Sequence, residues 1–149
     1  MNTEVQKRRI DSAGFAFEVE SRLALVDDIC VTARELLGRH GLEHVQFDVD
    51  LLLREFIVNG MEHGNGLDGK KKVAVDFRIG PKWIVVRIQD EGPGFRWRTL
   101  SRTPPEEVST SGRGLAIGAL YAHRVRFNNA GNQVTLWISK TTKKESEGL

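Results

Sequence analysis

Hydrophobic and polar residues alternate over several short segments of the chain, and alternation of this kind predicts half-buried β-strands. The first such segment is residues 14–20, in which Phe15, Phe17 and Val19 share one face. The same pattern predicts four further strands, at residues 73–79, 83–89, 125–128 and 133–139. Residues 129–132 (NAGN) separate the last two strands and predict a short hairpin.

Apolar residues recur at helical spacing in two segments between the first and second predicted strands. The earlier helix is predicted over about residues 21–40, with Ser21 as its N-terminal cap. Its apolar stripe consists of Leu25, Ile29, Ala33, Leu36 and Leu37. The later helix is predicted from about Asp48 to His63, and Gly64 is expected to end it.

An irregular stretch over residues 92–111 carries three of the four prolines and predicts a long loop. Helical spacing returns at about Gly112 and continues to His123, and the polar tail from Thr141 is expected to be loose. The resulting order, β-α-α-β-β-loop-α-β-β, predicts an α+β fold. Helices would cover one face of a mixed, mainly antiparallel sheet in a two-layer arrangement.

Composition narrows the class of protein. The 149 residues favour a single domain, with a core at about residues 14–140. One cysteine excludes an internal disulfide framework, and no apolar run reaches the ~18 residues of a membrane span. The basic N-terminus is not followed by an apolar segment, so we expect a cytoplasmic protein that does not contact a membrane. A net charge of +2 is too small to predict direct binding to nucleic acid.

The second predicted helix carries a narrow polar stripe between apolar flanks. Glu55 and Asn59 are four residues apart and therefore share a face, which Glu62 and His63 extend. Burying such groups without partners costs a few kcal/mol, so a ligand is one way to satisfy them. An ordinary amphipathic helix with a polar edge is the alternative interpretation.

Two glycine-containing segments suit nucleotide chemistry. Asp90 directly follows the predicted strand 83–89 and precedes Gly92 and Gly94, so its carboxylate could accept a hydrogen bond from an adenine amino group close to the backbone. Residues 111–118 (SGRGLAIG) open a helix, where backbone N–H groups and Arg113 favour a phosphate. A simple turn and a flexible helix cap are the respective alternatives.

Taken together and in this order, these motifs resemble the N, G1 and G2 boxes of the GHKL ATPases. The boxes read Glu55-x3-Asn59-x3-His63-Gly64, Asp90-x-Gly92-x-Gly94 and Gly112-x-Gly114-Leu115. Within that superfamily the chain resembles the small anti-sigma factor serine kinases of bacterial partner switching. The segments that carry this resemblance are NGMEHGN (59–65), DEGPGFRWR (90–98), SGRGL (111–115) and FNNAGNQVTL (127–136).

The resemblance implies a Bergerat-type α/β sandwich that binds ATP and Mg²⁺. Asn59 would hold the Mg²⁺, Asp90 would bind the adenine amino group, and Glu55 would be the general base. His63 is a further candidate for the phosphate pocket. The remaining ATP-binding candidates are Gly92, Gly94, Gly112, Arg113, Gly114 and Leu115.

The same resemblance implies protein partners. The acceptor hydroxyl would belong to a serine of an anti-anti-sigma antagonist, the sequestered protein would be a sigma factor, and a homodimer is expected. Gly60 departs from the family, which usually has Ala at this position. The alternative function is an ATP-binding module of the same fold whose target is not a sigma factor and which need not be a kinase. A third alternative is a domain with no nucleotide site at all.

Overall fold

The computed structural model describes residues 5–94, 117–118 and 120–141, with side chains for all of these except residues 5–8. Their strands and helices, in chain order, are β1 Val5–Asp11, β2 Gly14–Glu20, α1 Val26–Arg39, α2 Gln46–Asn59, β3 Lys72–Ile79, β4 Trp83–Gln89, β5 Arg124–Phe127 and β6 Gln133–Ser139. Single 3-10 turns at Leu23–Leu25 and Glu43–Val45 precede the two helices. Residues 117, 118, 120 and 121 are also helical. None of the described helices is long and apolar enough to cross a membrane.

The strands form a six-stranded sheet in the order β1-β2-β3-β4-β6-β5. Every neighbouring pair is antiparallel, whereas a mixed sheet was one element of the sequence prediction. Four of these pairs join strands that are consecutive in the described chain. The exception is the β4–β6 pair, because β6 lies between β4 and β5, and β5 is an edge strand. This arrangement places the β5–β6 hairpin next to the loop that follows β4.

One face of the sheet forms the hydrophobic core with the helices. Phe15, Phe77, Val86, Leu136 and Val125 lie opposite one another in register across five strands. Helices α1 and α2 supply fully buried partners for this row, namely Ile29, Leu37, Leu52 and Ile57. The α+β, two-layer architecture expected from the sequence is thereby confirmed, since both helices bury their apolar stripes against the same face.

One strand was missed by the sequence prediction, and one predicted helix cap was wrong. Strand β1 was not predicted, because its segment is rich in basic residues and does not alternate; it pairs at the edge of the sheet with β2. Ser21 does not cap α1, because a 3-10 turn with Arg22 in the cap position intervenes. The Ser21 hydroxyl instead donates a 2.7 Å hydrogen bond to the carbonyl of Lys71, which directly precedes β3.

Candidate functional site

Helix α2 changes its pitch where the candidate site begins. Gly60–Gly64 forms a π-helical turn that continues α2, with the Asn65 N–H donating to the Gly60 carbonyl at 2.8 Å. Such wider turns are frequent at functional sites, because they redirect the residues at the end of a helix. Here the turn extends the predicted helix as far as Gly64, and it brings the backbone of Gly64 against Asp90.

Asp90 follows β4 and is half-buried. Its backbone N–H donates to the carbonyl of Asn132 at 2.9 Å, and its Oδ1 accepts from the Gly92 N–H at 2.8 Å. Burial raises the pKa of the Asp90 carboxyl, and the hydrogen bond from Gly92 partly opposes that rise. A carboxylate held in this way presents its remaining acceptor positions to a ligand with an N–H donor.

Three glycines allow the loop after β4 to pack tightly between its neighbours. A Cβ on Gly64 would lie 2.5 Å from each oxygen of the Asp90 carboxylate. A Cβ on Gly92 would overlap the Gly64 carbonyl, and one on Gly94 would overlap the carbonyl of Ala130. Gly94 also has a φ of 83°, which L-residues with side chains rarely adopt. The loop is therefore wedged between the π-turn and the β5–β6 hairpin.

Asparagine side chains hold that hairpin in shape. Asn128 Oδ1 accepts hydrogen bonds from the backbone N–H groups of Gly131, Asn132 and Gln133, at 2.8 to 3.2 Å. Asn128 Nδ2 donates to Asn132 Oδ1 at 2.7 Å, and Asn132 Nδ2 donates to the carbonyl of Gly92 at 3.1 Å. The hairpin thus fixes the position of the Asp90 loop from the side opposite the π-turn.

A third asparagine connects the elements beneath the site. The buried Asn65 donates from Nδ2 to Ser21 Oγ at 2.9 Å and to the carbonyl of Lys72 at 3.0 Å. Its Oδ1 accepts from the Glu91 N–H at 2.7 Å. Asn65 therefore joins the end of β2, the start of β3 and the loop after β4. No role was predicted for it or for Asn128 and Asn132, although all three stand within the motif segments.

These elements enclose a cavity of about 570 Å³, part of it open to solvent. Its apolar lining is Phe56, Ile88, Phe127 and Val134, and its polar lining is Asn59, His63, Asp90, Asn132 and Gln133. The mixture of apolar walls with a few polar groups is typical of a small-molecule site. An aromatic heterocycle would find apolar contacts on the walls and a hydrogen-bond acceptor at Asp90.

The structure brings together part of the predicted site. Asn59, His63, Asp90 and Gly94 line the cavity, and His63 is exposed at its rim beside Glu62.

Glu55 lies one turn before Asn59 with its Oε1 buried, but it is not among the residues that line the cavity. Gly92 lies behind the lining, against Gly64. Gly112, Arg113, Gly114 and Leu115 lie outside the described residues.

The side-chain amide oxygen of Asn59 is chemically suited to bind a metal ion. Its Oδ1 is buried and has no hydrogen-bond partner among the residues that the structure describes. Amide oxygens are suitable ligands for Mg²⁺, which commonly takes its other ligands from phosphate and water. Within the described residues no group of three or more His, Cys, Asp or Glu side chains could hold a metal. Asn59 therefore fits a Mg²⁺ that is brought in with a phosphate ligand.

The sequence profile of the histidine kinase-like ATPase domain matches residues 19–138, which is more than half of the chain. The chain belongs to the histidine kinase-like ATPase domain family. Family membership indicates that this domain binds ATP, and the match includes both Asn59 and Asp90. No curated protein matches the chain.

Proposed function

We propose that this histidine kinase-like ATPase domain is an ATP-dependent serine-protein kinase and anti-sigma factor. It would phosphorylate a serine of an anti-anti-sigma antagonist and sequester a sigma factor. The motif resemblance supports the subtype. The observation that carries the proposal is that Asp90 and Asn59 line one cavity, with Glu55 one helical turn away on α2.

ATP would enter with its base against Asp90. The adenine amino group would donate to the Asp90 carboxylate, and the ring would contact the apolar side chains of Phe56 and Ile88. The Gly92 N–H already holds Oδ1 of Asp90, so the carboxylate needs no rearrangement to accept this bond. Such preorganisation avoids the free-energy loss of ordering a side chain upon binding.

The phosphates would extend toward Asn59 and the rim of the cavity. Asn59 would hold Mg²⁺ through Oδ1, and the bound ion would neutralise phosphate charge. His63 lies at the exposed rim, where its imidazole could contact a phosphate oxygen. Gly112, Arg113, Gly114 and Leu115 would complete the phosphate cradle.

Glu55 would act as the general base. In the proposed transfer, the antagonist serine oxygen bonds to the γ-phosphorus, the bond from that phosphorus to the β,γ-bridging oxygen breaks, and ADP leaves. The serine proton passes to the Glu55 carboxylate. Residues four apart on a helix share a face, so Glu55 is on the same side of α2 as the proposed metal ligand. A base within reach of the acceptor hydroxyl is what this chemistry requires.

Two measurements test the proposal in sequence. Titration of a fluorescent ATP analogue with Mg²⁺ should show saturable binding. Transfer of labelled γ-phosphate should then be detected to a serine of one of the anti-anti-sigma proteins of the same genome. The Glu55→Gln variant should bind the analogue as the wild type does and lose transfer, while the control Glu62→Gln should retain it. Undiminished transfer by Glu55→Gln would remove Glu55 as the base.

One observation favours a second function without phosphoryl transfer: Glu55, the proposed base, is not among the residues that line the cavity. The protein would then be an ATP-binding partner-switching module that orders a partner surface without phosphorylating it, with a target other than a sigma factor. It would bind the ATP analogue equally well. No labelled serine would appear, and co-purification with mass spectrometry would recover a partner that is not a sigma factor.

A further inference from the structure

The sheet face opposite the helices carries a row of polar residues near one edge. Arg87 on β4, Thr135 on β6 and Arg126 on β5 lie opposite one another in register. Because side chains alternate along a strand, these three project from the face opposite the core row of Val86, Leu136 and its neighbours. Arg87 and Arg126 are exposed. We call the part of this face on β4, β6 and β5 the open face.

On the other half of the same sheet face, the basic side chains that the structure describes have acidic partners on β1, β2 or β3. These ion pairs are Arg9–Asp76 at 3.1 Å, Arg78–Asp11 at 3.2 Å and Lys72–Glu18 at 3.7 Å. The described basic side chains on that half are therefore already paired with carboxylates.

The open face is different, because its strands contribute arginines and no acidic residue. Arg87, Arg124 and Arg126 form no ion pair with any residue in the described part of the chain. Asp76 lies opposite Arg87 in register, but its carboxylate pairs with Arg9. The positive charge of the open face is therefore available to an anionic partner.

A groove lies on this face, with about 810 Å³ of space that includes open solvent. Its lining includes Arg87, Arg126, Gln133, Thr135 and Trp137. Planar guanidinium groups bind carboxylates through paired hydrogen bonds. We propose that this groove docks an acidic segment of a partner protein, whose Asp or Glu side chains pair with Arg87 and Arg126.

Two other occupants fit less well. Single-stranded nucleic acid would need free aromatic faces for base stacking, whereas Arg124 covers Trp137 at 5.1 Å and His123 stacks on Trp83 at 4.3 Å. A second copy of the chain, docked face to face about a two-fold axis, would bring the same arginines toward one another. An acidic protein segment is the occupant whose charge complements the face.

The test uses the full chain and a fluorescein-labelled peptide of alternating Glu and Thr, followed by anisotropy at low ionic strength. The wild type should bind the peptide, and added salt should weaken binding. The Arg87→Gln/Arg126→Gln variant should bind about tenfold or more weakly. The matched control Arg9→Gln/Arg78→Gln, on the half with paired side chains, should stay within about twofold of the wild type.

Two further measurements sharpen the result. Arg87→Lys/Arg126→Lys keeps the charge but loses the paired guanidinium hydrogen bonds, so its affinity should lie between those of the wild type and the Gln variant. This variant tests the proposal even where the Gln variant fails to fold. A peptide of alternating Lys and Thr should bind Arg87→Glu/Arg126→Glu better than it binds the wild type. Sedimentation velocity should show the same oligomeric state for the wild type and the Gln variant.

Several outcomes overturn the proposal. The wild type could fail to bind the acidic peptide, or it could bind oligo(dT) more tightly than the peptide. Peptide affinity could also fall equally in Arg87→Gln/Arg126→Gln and in Arg9→Gln/Arg78→Gln. Conversion of a dimer to a monomer by Arg87→Gln/Arg126→Gln would assign the face to a second copy instead. ATP-analogue affinity should be unchanged in the Gln variant, because neither arginine lines the nucleotide cavity.

Discussion

The carboxylate of Asp90 packs directly against the α-carbon of Gly64, leaving no room for a side chain between them. This contact joins the π-turn at the end of α2 to the loop after β4, and these two segments form adjoining walls of the cavity. The position of the proposed adenine ligand therefore depends on a residue that need not contact adenine itself.

Replacement of Gly64 should displace Asp90. In Gly64→Ala the new Cβ would lie 2.5 Å from both carboxylate oxygens, so the side chain or the loop must move. A displacement of about 1 Å at a binding group can reduce function by roughly a hundredfold, and we expect analogue affinity to fall ten- to a hundredfold. Titration with the fluorescent ATP analogue measures this loss.

Gly60→Ala provides the matched control on the same turn. Its Cβ would be 3.6 Å from Asp90 Cβ and from Val73 Cγ2, which is ordinary van der Waals contact. The backbone at Gly60 is α-helical, so Ala should also stabilise the helix by up to about 1 kcal/mol. Equal affinities for the Gly64 and Gly60 variants would contradict the packing argument.

Asn59→Ala should remove the Mg²⁺-dependent part of nucleotide affinity. The substitution deletes the buried Oδ1, which has no partner among the described residues and fits a metal ligand. Calorimetric titration with ATP should show a large difference between Mg²⁺ and EDTA for the wild type and little difference for the variant. An unchanged difference would exclude Asn59 as the ligand. The EDTA titration is the internal control for a general loss of binding.

Asn65→Ala should destabilise the whole domain. It removes the hydrogen bonds to Ser21, Lys72 and Glu91, and it leaves the Glu91 N–H without that partner. We expect the free energy of unfolding to fall by about 2–4 kcal/mol, as measured by urea titration. Ser21→Ala, which keeps two of the three bonds of Asn65, should lose about 1 kcal/mol. A similar loss in both variants would show that Asn65 has no special connecting role.

Asp90→Asn should change how stability depends on pH. Burial raises the pKa of Asp90 above its ordinary 3.8, so its stabilising contribution is complete below pH 3.8 and is lost as pH rises through the raised pKa. Asn does not titrate, so the unfolding free energy of the variant should increase relative to the wild type across that window. Urea titrations at a series of pH values measure the trend, and ATP affinity should fall because the carboxylate acceptor is lost.

Asp11→Asn should show the opposite trend. The hydrogen bond from the Ala13 N–H and then the Arg78 guanidinium lower the pKa of the exposed Asp11, although slight desolvation of the carboxylate opposes them. Its stabilising contribution is therefore present above pH 3.8 and is lost as pH falls through the lowered pKa. The Asn variant should lose stability relative to the wild type as pH rises through this window. The same sign for both variants would contradict the assigned pKa directions.

Strands β2 to β6 and the helical stripes could be predicted from the sequence by itself, because burial of one face imposes a local period on the chain. The structure places the predicted site residues Asn59 and Asp90 beside one cavity. Their roles toward Mg²⁺ and adenine, Glu55 as base and the cradle at residues 112–115 stay predictions.

Only the tertiary structure decided which distant segments meet. The pairing of β1 at the edge, the placement of β6 between β4 and β5, and the bonds of Asn65 all join positions far apart in the chain. The sequence around a polar residue such as Asn65 or Ser21 looks the same whether the side chain faces water or connects several elements. The hydrogen-bond partners of such a residue are set by the packing of the helices on the sheet. The contact between Asp90 and Gly64 likewise forms only when α2 and β4 have packed together.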